Sequence, residues 1–189
     1  MAARLKGRGR LKRHALLLGL MATVAVAGCA PESSGQQGGQ PAVPQVTPEA
    51  SYSAQIAGTA LLVTNALAAV GIRADPPSVP YVSGEPADIA TAQRIVLQAD
   101  VHDPNGGYVV IYEFTDPATS ATRGAEFASY LESGFGQTNF PIDAQFSLTE
   151  VGGTLIFTWW SSDNASDRDT ARTAFDAIAS VGVPITIVK

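Results

Sequence analysis

Few residues of this chain are equipped for chemistry, and their spacing narrows what they can do. Asp100 and His102 stand two apart, which places them on one side of a β-strand, and Asp103 follows directly. A histidine beside carboxylates suits general-base work or metal binding. The chain holds two histidines, and the other, His14, lies in a basic amino-terminal stretch. With no second imidazole nearby, and with Asp103-Pro104-Asn105-Gly106-Gly107 marking a turn at that strand end, His102 reads as a solvated turn residue. The same turn lacks the ligand spacing and terminal glutamate of an EF-hand. Asp163, Asp167 and Asp169 could gather a cation, yet acids at a helix start are accounted for by the helix dipole. No G-x-S-x-G, S-x-x-K or H-E-x-x-H occurs. Neither Gly106-Gly107 nor Gly152-Gly153 leads from a strand into a helix as a phosphate loop would. These residues point to a non-catalytic protein without cofactor or metal. A hydrolase or metal-dependent enzyme using His102 and Asp100 is the minor alternative.

The only cysteine, Cys29, closes an apolar run that begins at Leu16 and is preceded by Arg4, Lys6, Arg8, Arg10, Lys12 and Arg13. A basic segment, about 14 apolar residues and then small residues make a secretory signal peptide, too short and wrongly flanked for a spanning helix. Val26-Ala27-Gly28-Cys29 resembles the lipobox of bacterial lipoproteins. The resemblance implies that signal peptidase II recognises Val26, Ala27 and Gly28 and removes residues 1–28. It further implies a thioether-linked diacylglyceryl group on Cys29, bearing chains such as palmitate, and in many bacteria an acylated new amino terminus. One chain binds a bilayer marginally, whereas two or three hold a protein there for long periods. Ala30, rather than Asp, after Cys29 implies the periplasmic side of the outer membrane where the host has two membranes. With Cys29 so used, no thiol is left for a disulfide, a metal site or a nucleophile.

Charge supports the same division. Six of the twelve basic residues precede position 28 without an accompanying acid, leaving six against 17 acidic residues, a formal charge of −11. Such a surface repels phosphate backbones and anionic lipid, so nucleic acid is not an expected partner. Residues 30–50, rich in Pro, Gly, Gln and Ser, cannot bury enough surface to offset their ordering entropy, and 29–50 reads as a lipidated, disordered tether. Residues 51–189 are then a single domain.

Within it, Ile56, Ala60, Leu67 and Val70 fall at helical spacing, predicting a core helix over 52–71 stopped by Gly71. The run is almost free of charge, but Gln55, Thr59, Thr64 and Asn65 argue against a second membrane span. Pro76, Pro77, Pro80 and Pro86 exclude long regular structure over 73–90, where Tyr81 and Val82 are expected to pin the connection to the core. Strands are predicted at 95–102 and 108–115, a helix at 118–133 begun by Asp116-Pro117, and strands at 144–151 and 154–161 joined by Gly152-Gly153. A last helix, capped by Asp163 or Ser166, runs to about Val181, and Ile185–Val188 could add an edge strand.

The order α-β-β-α-β-β-α implies an α+β two-layer sandwich, an antiparallel sheet of four or five strands with helices on one face. The runs GYVVIYEFTD and GTLIFTWWSSD, about 46 residues apart, suggest an internal ββα duplication. Strand parity assigns Ile95, Leu97, Ala99, Val101, Val110, Tyr112, Phe114, Phe146, Leu148, Leu155, Phe157 and Trp159 to the core face. The other face would carry Gln98, Asp100, His102, Ile111, Glu113, Ile156, Thr158 and Trp160, an open platform for a protein or envelope component. A small-ligand carrier with a pocket between sheet and helices is the second reading. Asn65-Ala-Leu-Ala-Ala-Val-Gly71, GGYVVIYEFTD, GGTLIFTWW and the final helix together resemble a group of small bacterial lipoproteins of unassigned function, over roughly residues 60–181. That resemblance implies an address and an architecture, and the Pro-rich 73–90 connection departs from it.

Overall fold

The computed structural model describes residues 51–101 and 106–188. Val26, Ala27, Gly28, Cys29, the 30–50 segment and His102 lie outside the described residues. The fold is α+β, with one open antiparallel sheet of six strands and helices packed on it. Helix α1 (Ala54–Ala69) starts where the Ser53 hydroxyl accepts from the amides of Gln55 and Ile56. It stops at Gly71, whose φ of +78° lets the amides of Gly71 and Ile72 close on the carbonyls of Ala68 and Leu67. The connection that follows carries a two-residue strand, β1 (Ala74–Asp75), and one helical turn, α2 (Ala87–Ala90). Strands β2 (Gln93–Ala99) and β3 (Gly107–Glu113) lead into α3 (Pro117–Glu132) and the short α4 (Gly134–Gln137). Strands β4 (Gln145–Val151) and β5 (Thr154–Trp160), helix α5 (Arg168–Ala179) and β6 (Val183–Pro184) complete the order.

Caps explain the helix starts. Asp116 accepts from the Thr119 amide at 2.9 Å and the Thr119 hydroxyl at 2.8 Å, ahead of Pro117 in the first turn of α3. For α5 the cap is Asp167 rather than Asp163 or Ser166, since only Asp167 stands three residues before the amide it receives, that of Thr170 at 3.1 Å.

The strands lie in the order β1-β2-β3-β5-β4-β6. Six strands replace the expected four or five because both edges are two-residue strands, too short for a sequence pattern to mark. The edge at the carboxyl end is Val183–Pro184 rather than 185–188, although the Ile185 amide still bonds the Leu148 carbonyl at 2.8 Å.

Helices cover both faces of the sheet, not one. On the first face, Phe127, Ala128 and Leu131 of α3 pack with Tyr108, Val110, Tyr112, Leu148, Leu155, Phe157 and Trp159. On the second, Ile56, Val63 and Leu67 of α1 and Ala174 and Ile178 of α5 pack with Val109, Ile111 and Ile156. The reason lies in β3 and β5, GYVVIYE and TLIFTWW, which are apolar nearly throughout instead of alternating. A strand buried on both faces has that composition. Gly124 brings α3 down onto the sheet, since a Cβ there would strike the Ile185 and Leu155 side chains.

Two further expectations are corrected. Ile95 pairs with Ile111 and Leu97 with Val109, so Ile95, Leu97 and Ala99 belong to the second face together with Ile111. Parity taken strand by strand fails where both faces are apolar, because only the cross-strand register decides which sides meet. The duplication also fails. A two-fold axis that carries hairpin β2–β3 onto β4–β5 would leave their helices on one face, yet α3 and α5 lie on opposite faces.

Candidate functional site

Among the described residues, the apolar part of the anticipated platform is covered by helices. Ile111 is fully buried, Ile156 is 1% exposed and Trp160 3%, with Trp160 held against Ala171 and Phe175 of α5. Glu113 meets the Ser53 hydroxyl and the Gln55 amide at the start of α1. Asp100 sits apart from them, paired with the exposed Arg73 at 3.4 Å. Asp163 pairs with Arg168 at 3.3 Å and Asp167 is spent on its cap.

What the fold does assemble lies on the other side, where the loops at one end of the α3 face meet. The side chain of Glu85 is fully buried. Its Oε1 accepts from Arg94 Nη1 at 2.8 Å and from the Tyr112 hydroxyl at 2.7 Å, and its Oε2 from the Tyr81 hydroxyl at 2.8 Å. Burial above all, and then the Glu85 charge, push the Tyr81 phenol well above its ordinary range. Burial does the same to Tyr112, so both phenols stay protonated donors. The Arg94 guanidinium also lies 5.6 Å from the centre of the Tyr81 ring. With both oxygens of Glu85 accepting from donors, the group is a clamp that fastens the proline-rich connection to the sheet. Sequence reasoning missed it because two of the three partners of Glu85, Arg94 and Tyr112, stand nine and 27 residues away on strands.

The clamp sets the position of Tyr81, and Tyr81 builds a wall. Its ring packs on Tyr108 with centroids 5.1 Å apart, Tyr108 on Trp159 at 5.8 Å, and Trp159 on Phe140 at 5.6 Å. These four rings line a cleft of about 300 Å³, rimmed by Val79, Val82, Pro141, Asn139 and Asn164. Val82, expected to pin the connection, is instead 85% exposed at this rim, while Tyr81 does the pinning. Gly84 lets the connection close down, because a Cβ there would stand 2.8 Å from the Phe140 ring. A larger hollow of about 620 Å³ lies across Phe140 and Pro141, lined by Thr138, Ile142 and Phe146. The Trp159 cleft is distinguished by its floor, which is made of the buried rings of Tyr108 and Trp159.

Asp143 ties down the segment that leads to Asn164. Its carboxylate accepts from the Ser161 hydroxyl at 2.7 Å, the Ser162 hydroxyl at 2.9 Å and the Asp163 amide at 2.9 Å. Burial tends to raise its pKa, but those three donors outweigh it and hold the group at about 2. The three donors commit this carboxylate to ordering the segment that follows β5. Because the folded value lies below the unfolded one, the stabilisation is present above the ordinary carboxylate range and is lost as pH falls from about 4 to about 2. Urea midpoints should therefore drop over that window in the native chain and less in Asp143→Asn. At neutral pH, Ser161→Ala should cost about 1–2 kcal/mol through the lost charge-assisted bond.

Among the described residues no helix is long and apolar enough to cross a membrane, α1 included. In comparisons with known proteins, no protein family, no curated protein and no solved structure matches this chain.

Proposed function

We propose that this chain is a lipid-anchored extracytoplasmic binding module, held at a membrane through Cys29 and taking a small apolar ligand in the cleft floored by Tyr108 and Trp159. The observation that carries the binding reading is that cleft, about 300 Å³ in volume and walled by four aromatic rings. Ligand sites are concave and largely apolar, with a few polar groups at the rim to orient the guest, and Asn139 and Asn164 stand at this one. The address rests on the Val26-Ala27-Gly28-Cys29 sequence behind a basic and then apolar leader.

Each half has its own test. Cys29→Ala, expressed in a bacterium that processes lipoproteins, should lose labelled palmitate and move from the membrane to the soluble fraction; retention of both would remove the anchor. For the cleft, the neutral apolar dye Nile red should gain emission on binding. Trp159→Phe should weaken its affinity about fivefold or more. Trp160→Phe, a change beneath α5, should leave dye affinity near that of the native chain, and equal losses in the two variants would sink the assignment.

A further inference from the structure

The long helices differ in one respect that packing does not require. Helix α3 carries Arg123, Glu126 and Glu132, and α5 carries Arg168, Asp169, Arg172 and Asp176. Helix α1 carries no charge, and none occurs anywhere from Ser51 to Ile72. Its inner face is satisfied by Ile56, Val63 and Leu67. Its outer face presents Ala54, Gly58, Leu61, Leu62, Ala68 and Ala69 to solvent around Asn65, with the exposed Gln55 at the first turn. Leu61 is 59% exposed and Leu62 48%. The charges of neighbouring α5 are balanced, with Arg172 beside Asp176 at 3.7 Å and Arg168 beside Asp163 at 3.3 Å. In a chain with an excess of acid, this strip is a place where an anionic surface meets no like charge.

From this we infer that the outer face of α1 docks on the lipid bilayer into which Cys29 is anchored, laying the domain on the membrane instead of letting it project. The inference rests on the lipid-anchor reading. Cys29 stands 24 residues before Ser53, the cap of α1, so the chain cannot carry the helix farther than about 80 Å from the headgroups. Two leucines hold a bilayer weakly from bulk solution. On a short tether the same contact becomes intramolecular, at an effective concentration of about millimolar, and a weak contact then suffices. Asn65 at the centre of the strip keeps the docking shallow, at headgroup depth, with Leu61 and Leu62 reaching the acyl boundary.

The experiment uses the full lipidated protein in phosphatidylcholine vesicles. Because Cys29 is thioether-linked, a cysteine introduced by Leu61→Cys is the single free thiol and takes a bimane label; Ala125→Cys on the exposed side of α3 serves as the control. Lipid-borne nitroxide should quench the label at position 61 about threefold more than that at 125, and Leu62→Glu should remove the difference without lowering the melting temperature. Equal quenching at both sites in a chain that floats with the vesicles overturns the docking alone. Shielding of position 61 from iodide without lipid quenching means that a second copy covers α1, which also overturns it. A chain that does not float with vesicles overturns the anchor reading, and the docking with it.

Discussion

Arg94→Met is expected to lower the stability of the domain by about 3 kcal/mol, because it leaves the Glu85 carboxylate buried without its cation. The side chain of Glu85 is fully buried and that of Arg94 28% exposed, so the pair is shielded from water on the carboxylate side. The two phenols cannot replace the guanidinium, since burial keeps them protonated and neutral. A loss of that size is a large part of the 5–15 kcal/mol typical of a domain and should lower the melting temperature by about 10 °C. Removing both charges is a different matter. Glu85→Leu combined with Arg94→Met, Tyr112→Phe and Tyr81→Phe replaces the network by apolar groups and should recover most of the loss. Tyr112→Phe alone should cost about 1–2 kcal/mol, one donor to a carboxylate. Arg94→Met should also weaken Nile red binding, because Tyr81 loses the cation over its ring and the Glu85 carboxylate that holds its hydroxyl loses its anchor. An Arg94→Met variant within about 1 kcal/mol of the native chain in urea unfolding would show that the clamp does not hold the connection.

Trp160→Ala is expected to cost about 3–4 kcal/mol, the range for truncating a large buried aromatic. Trp160 is 3% exposed and its ring lies 6.4 Å from that of Phe175. Its indole N–H has no hydrogen-bond partner among the described residues, so the loss is one of packing, with no polar contact broken. Phe175→Ala, on the helix that covers it, should act in the same direction, and the double variant should cost less than the sum because the two share one contact. Leu61→Ala, on the exposed side of α1, should stay within about 0.5 kcal/mol and provides the control. Equilibrium denaturation of the four variants decides the point: a Trp160→Ala chain as stable as the native one would return this residue to an exposed platform.

The contrast between Trp159 and Trp160 shows where reading a strand runs out. Neighbours on β5 must point to opposite sides, and the sequence says so without ambiguity. It does not say what lies on each side. Trp160, assigned to the second face without a cover being specified, is under α5, while Trp159, read as core, floors the cleft. The loops that complete that cleft come from segments with no periodic pattern, the proline-rich connection, the turn before β4 and the segment after β5. Asp143 and Glu85 gave no signal for the same reason, since each is defined by donors on other elements.

What the sequence settled by itself is local. Ser53, Gly71 and Asp116-Pro117 mark helix ends, and Gly152, with φ +57°, turns β4 into β5, because caps and turns depend on the dihedral preferences and side-chain reach of a few adjacent residues. The α+β class followed from the order of those elements. Only the tertiary structure decided that helices cover both faces, that β2 presents Ile95 and Leu97 beside Ile111 and Val109, and that a buried carboxylate holds an aromatic wall in place. Those outcomes depend on which surfaces meet across long separations in the chain, and an apolar residue carries no label saying which of two apolar layers it will join.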